Sequence, residues 1–141
     1  MLLHRCKIIS LILFLSLTFF NCSNDEDCCL LSPQIADEEW LSVSIKRDRE
    51  LYFAPDDIRL SFDTDSTFTL LLDVNRCNGS MQLDLETGVF NTVAASCTYM
   101  CCDSEYALAL DRFIREADRF EFISKELILY RDLDEARFEL K

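Results

Sequence analysis

From Glu39 onward apolar and polar residues alternate with a period of two, again and again, and that rhythm constrains the chain to half-buried antiparallel strands. Leu41, Val43 and Ile45 share one face, with Ser42 and Ser44 opposite. Ile58, Leu60 and Phe62 repeat the pattern against Arg59 and Ser61, and Phe68, Leu70, Leu72 and Val74 form the longest run. Met81, Leu83 and Leu85 follow against Gln82 and Asp84, then Leu127 with Leu129, and Ala136 with Phe138 and Leu140. Between the runs lie turn formers: Pro55-Asp56-Asp57, Asp63-Thr64-Asp65-Ser66, Glu86-Thr87-Gly88 and Arg131-Asp132-Leu133-Asp134. Connections this short favour hairpins over parallel crossovers.

One segment changes period. Between Asp103 and Arg119, Tyr106, Leu110, Phe113, Ile114 and Ala117 recur at spacings of three and four, which predicts an amphipathic helix over about 103–119. Asp103 or Ser104 can cap it, and Glu105 adds negative charge where the helix dipole favours it. A single such helix in an otherwise β chain must cover the apolar face of the sheet. The expected fold is therefore α+β: a curled antiparallel meander of about seven to nine short strands with one main helix on its concave side.

The first 21 residues stand apart. A basic start with His4, Arg5 and Lys7 precedes an apolar stretch from Ile8 to Phe20. Thirteen residues of helix rise only about 20 Å, short of a hydrocarbon core of about 30 Å, so the stretch reads as a signal peptide and not a membrane span. Cys22 directly after it resembles a lipobox cysteine, which implies a thiol carrying diacylglycerol and a membrane as partner, although Phe20 and Asn21 stand where that pattern favours small residues. Residues 22–37 open with Ser23-Asn24-Asp25-Glu26-Asp27, acidic and without apolar residues to bury, so this segment is expected to act as a tether. An acidic run at this position also resembles the signal that carries some Gram-negative lipoproteins to the cell surface. The expected organisation is a signal at 1–21, a tether at 22–37 and one domain at 38–141, held at the envelope and, by that resemblance, at the outer membrane.

Charge and residue inventory narrow the function. Two of the 14 basic residues and none of the 26 acidic ones lie in the first 21 positions, which leaves 12 against 26 beyond them and a net charge of −14. A surface this negative repels phosphate backbones, so nucleic acid is not an expected partner. The only histidine is His4, inside the signal, which removes Ser-His and Cys-His nucleophiles and histidine acid/base chemistry from the rest of the chain. With Gly79 and Gly88 as the only glycines there is no phosphate-cradling loop. Asp63-x-Asp65-x-Thr67 has the start of a calcium loop, but Phe68 and Val74 stand where glycine and glutamate are required. No catalytic residue, cofactor or metal site is expected.

Beyond Cys6 and Cys22, six cysteines remain: Cys28, Cys29, Cys77, Cys97, Cys101 and Cys102. In an exported chain they read as disulfides, whose pairing the sequence leaves open among 15 possibilities. Zinc favours Cys-x-x-Cys knuckles, which are absent. A redox role for Cys101 or Cys102, just before the helix where a dipole lowers thiol pKa, is the rival to a structural bond.

The order of short elements in residues 38–141 resembles the META domain of HslJ-like heat-shock lipoproteins. Trp40-x-Ser42 opens the domain, the run from Phe68 to Val74 leads to Arg76-Cys77-Asn78-Gly79-Ser80, and Thr98-Tyr99-Met100-Cys101-Cys102 precedes the helix. Cys77-Asn78 matches that family's Gly-Cys-Asn element, while Thr98, Met100 and Cys102 match its Thr-Arg-Met-Ala-Cys element; Arg76 replaces the glycine, and Asp103 stands where proline is common. The resemblance implies a small α+β domain with a curled sheet. It also implies a bond between Cys77 and Cys102, worth about 3 kcal/mol for a loop of about 25 residues, with Cys97 and Cys101 as a candidate second pair and no placement for Cys28 and Cys29. The family is associated with heat shock, drug tolerance and motility and implies no catalysis. The expectation is a non-enzymatic envelope lipoprotein; the alternative is a module that binds an apolar small molecule or a protein partner in the concavity of the sheet.

Overall fold

The computed structural model describes residue 35 and residues 38–55, 57–64 and 66–141; the expected signal, Cys22, Cys28 and Cys29 lie outside these. Nine antiparallel strands make one sheet: β1 (Glu39–Arg47), β2 (Glu50–Phe53), β3 (Arg59–Thr64), β4 (Thr67–Leu71), β5 (Arg76–Asp84), β6 (Val89–Cys97), β7 (Arg119–Ile123), β8 (Glu126–Arg131) and β9 (Asp134–Leu140). The single described helix, α1 (Glu105–Glu116), falls between β6 and β7. From β3 to β9 strand follows strand around the sheet, β1 lies between β2 and β3, and β1 also pairs with β9, so the meander closes on itself. The expected curled α+β meander with one helix is the fold observed.

Closure works because β1 serves three neighbours. Its first residues pair with β3, its last with β2, and its opposite edge with β9 from Trp40 to Lys46. One seam is thin: β6 and β7 share only the Val89–Arg119 pair, flanked by Phe90 N–H to Asp118 O at 3.1 Å and Phe120 N–H to Gly88 O at 2.8 Å. α1 wedges against this seam. Thr92 Oγ1 donates to Ile114 O at 2.8 Å, and Arg115 Nη1 donates to Ala95 O at 2.9 Å, so side chains satisfy main-chain groups where a strand partner is missing.

The interior holds one cluster. Ala107, Leu110, Phe113 and Ile114 of α1 meet Trp40, Phe62, Phe68, Phe90, Phe138 and the inward aliphatics of every strand except β2. Ile35, isolated from the rest of the described chain, is also buried in it. Trp40 is fully buried and stands edge-on to Phe122, with ring centroids 5.5 Å apart.

Two bulges redirect side chains that strict alternation misplaces. Across β1 and β9, Ser42 faces Phe138 and Ser44 faces Arg137, leaving Val43 as the extra residue. One added residue flips the parity of the rest of the strand. Trp40 and Ile45 therefore both enter the core, and Leu41 and Val43 are only half-buried, which corrects the expected Leu41–Val43–Ile45 face. Across β5 and β6, Ser80 faces Ala94 and Met81 faces Thr92, with Val93 extra and 59 % exposed.

Other boundaries shift for nameable reasons. The strand expected to run through Val74 ends at Leu71, because Asp73, Val74 and Asn75 turn the chain, and the expected 81–85 strand starts earlier, at Arg76. Leu85 belongs to the following turn, where the Asp84 carboxylate accepts from Glu86 N–H at 2.9 Å and Thr87 N–H at 3.2 Å, and Gly88 adopts φ +72°. The helix stops at Glu116, not Arg119, because the sheet captures Asp118: its N–H donates to Tyr130 O at 3.0 Å. β2, β6 and β7 are strands beyond those that alternation predicts.

Candidate functional site

The cysteine region lies at one end of the closed sheet, where the 72–75 turn meets the 98–104 loop ahead of α1. Cys77, second residue of β5, is fully buried and sits directly opposite Cys97, last residue of β6; the two form a disulfide across 20 residues of chain. This corrects the Cys77–Cys102 pairing implied by the resemblance, and with it the Cys97–Cys101 pair. The reason is register. Phe90 faces inward and Cys97 is seven residues later, an odd spacing that puts both on one face only because the Val93 bulge adds a residue between them.

Cys101 and Cys102 lie beyond that register, both exposed and both free. What holds their loop is a knot of hydrogen bonds around Asn75, which is buried. Its Nδ2 donates to Met100 O at 2.8 Å and to Asp103 Oδ2 at 2.6 Å, while its Oδ1 accepts from Met100 N–H at 2.8 Å and from Thr98 Oγ1 at 3.0 Å. Asp103 Oδ1 accepts the N–H groups of Val74 at 2.9 Å and Asn75 at 3.1 Å. Burial works to raise the Asp103 pKa, but the Asn75 amide and the two N–H groups outweigh it and hold the carboxyl below its ordinary range.

The same knot sets the start of α1. Of the two expected caps, Ser104 is the one used: its Oγ accepts from Ala107 N–H at 3.1 Å, and its own N–H donates to Asp73 Oδ2 at 2.7 Å. Asp103 instead caps the 73–75 turn. The chain passes between these anchors with Cys102 at φ +91°, a left-handed conformation rare for a residue with a Cβ. Asn75 and Asp73 went unmarked in the sequence. Two side chains of the Asx type flanking Val74 were the available signal for a turn there.

Among the described residues, the one group of three or more His, Cys, Asp or Glu side chains whose ligand atoms converge is Cys77, Cys97 and Asp111. Both sulfurs are committed to the disulfide, and Asp111 is held by Arg115, whose Nε lies 3.0 Å from each carboxylate oxygen. With no thiolate left to donate and a guanidinium on the carboxylate, this group does not suit a cation.

A second feature is a cleft of about 440 Å³ between the β1–β2 hairpin and α1, lined by Ile45, Tyr52, Phe53, Tyr106 and Ala109 with the charged Arg47 and Glu105. Phe53 is 71 % exposed, and the Tyr106 hydroxyl shares a 2.7 Å hydrogen bond with Ser42. Burial pushes the Tyr106 hydroxyl pKa up to about 12, against a smaller lowering by Ser42. The concave face itself is filled by the α1 side chains, so this room lies beside the helix and not beneath it.

No family model and no curated protein matches the chain. Solved structures do match its fold. A Burkholderia xenovorans protein determined by NMR aligns with a TM-score of 0.63 at 20 % identity, over 76 % of this chain and 83 % of that one. A DUF4847-family protein from Bacteroides vulgatus aligns with a TM-score of 0.58 at 17 % identity, over 74 % and 93 %. Another NMR structure gives 0.59 at 16 % identity, over 78 % and 95 %. Identities this low establish a shared fold and nothing about activity.

Proposed function

We propose that this chain is a non-enzymatic cell-envelope lipoprotein, anchored through Cys22 and carrying a META/HslJ-like domain. The observation that carries the reading is the Cys77–Cys97 disulfide, because such bonds persist in oxidising compartments and are rare in cytosol. It stands behind a basic, apolar and cysteine-terminated N-terminus of the kind that exports and lipidates a chain. The lack of histidine after residue 4 supports a role without acid/base chemistry. The test is palmitate labelling of cells with and without Cys22→Ala, combined with protease shaving. Label that depends on Cys22 is expected; unlabelled protein in the cytosol with residues 1–21 intact would overturn the reading.

The cleft beside α1 favours a second reading, a module that binds an apolar small molecule. Its size falls within the range of small-molecule pockets, and Tyr52, Phe53 and Ile45 give it an apolar wall. An environment-sensitive apolar dye should brighten with the intact protein and lose that response with Phe53→Ser. An unchanged response would remove the cleft from consideration.

A further inference from the structure

We propose that Met100, Cys101 and Cys102 form a site for a soft monovalent cation of the copper(I) class. Three consecutive residues offer three sulfurs, all exposed: Met100 is 58 % accessible, and both thiols are free. The two thiols are carried by adjacent residues of one short loop, so one ion can bridge them. Met100 is fixed through its main chain, with N–H and C=O both bound to Asn75, while two side-chain torsions let its sulfur swing toward the pair. Thiolate and thioether sulfur select soft d10 cations over hard ones. Structural zinc requires four protein ligands, whereas a cation satisfied by two or three sulfurs needs no fourth.

Three features prepare the loop. The Asn75–Asp103 knot holds both sides of the cysteine pair, so little backbone freedom is lost on binding. Cys102 is kept at φ +91°, a conformation that persists only where its surroundings impose it. Binding releases two protons to solvent and leaves copper in the +1 state, with nothing oxidised, and the resulting complex of two thiolates and one monovalent ion carries a charge of −1. The N-terminus of α1 immediately follows, where the helix dipole favours a negative group.

The test uses the full chain with Cys6, Cys22, Cys28 and Cys29 changed to serine, titrated anaerobically with copper(I) against a colorimetric chelator. One equivalent bound is expected, abolished in Cys101→Ser/Cys102→Ser and weakened about tenfold in Met100→Leu. Trp40 fluorescence, unchanged among the variants, verifies that the fold survives. Copper retained by the double serine variant overturns the site. So does a Cys101–Cys102 disulfide in protein isolated without reductant from the compartment where it resides, since that bond consumes both ligands.

Discussion

Asp103 and Asn75, 28 residues apart, are joined by a 2.6 Å hydrogen bond from the Asn75 amide to Asp103 Oδ2. Through this contact the turn between β4 and β5 governs the start of α1. Asp103→Ala leaves the N–H groups of Val74 and Asn75 without their acceptor and is expected to cost about 2 kcal/mol in chemical denaturation.

The same carboxylate gives a signature in acid. Its folded pKa is held below the unfolded value, so its contribution is fully present above about pH 4 and is lost as pH falls through the folded pKa. Stability measured from pH 5 to pH 2 should fall more steeply in the wild type than in Asp103→Asn. Parallel curves would show that the Asn75 contact does not stabilise the ionised form.

At the alkaline end Tyr106 takes over. Its hydroxyl pKa rises to about 12 in the fold against about 10 unfolded, so its contribution is complete below pH 10 and declines as pH climbs toward 12. Tyr106→Phe strands Ser42 Oγ and should cost about 1 kcal/mol at neutral pH. Above pH 10 the gap between variant and wild type should narrow; a constant gap would mean that Tyr106 ionises as freely in the fold as in water.

Gly79 faces Phe68 across β4 and β5, and the ring lies over it. A Cβ there would stand 2.4 Å from two ring carbons of Phe68 and 2.8 Å from Ala94 O. Gly79→Ala is expected to lower stability by about 1–3 kcal/mol, with part restored by Phe68→Leu. Thermal unfolding of the single and double variants would read this coupling, and additive effects would refute the clash.

Peptide mapping without reductant should recover Cys77 linked to Cys97. Removing the bond with Cys77→Ala/Cys97→Ala should cost about 3 kcal/mol by chain entropy for a closed loop of this length. Recovery of Cys77 on Cys102 would restore the pairing implied by the META resemblance.

Much of the architecture was readable in the sequence because burial enforces periodicity. Phe62, Phe68, Leu70, Met81, Leu127, Leu129, Ala136 and Phe138 are all core residues at the alternating positions that marked them, and Leu110, Phe113 and Ile114 line the expected face of the helix. What stayed hidden has a common cause. β6 carries exposed Val89 and Val93 and small Ala94 and Ala95, so its pattern is blurred and then inverted at the bulge. Without β6 there was no register to place Cys97 opposite Cys77. The Asn75 knot escaped because its bonds join residues more than twenty positions apart, and side-chain capping of a distant turn leaves no periodic trace.

Because β1 meets β9, the row of main-chain donors and acceptors that an open sheet would present at its margins is consumed internally. Among the described residues, the open margins include the outer side of β2, four residues long, and β6 beyond Val89, against which α1 lies. Closure thus confines strand addition by another copy to margins that are short or already backed by the helix.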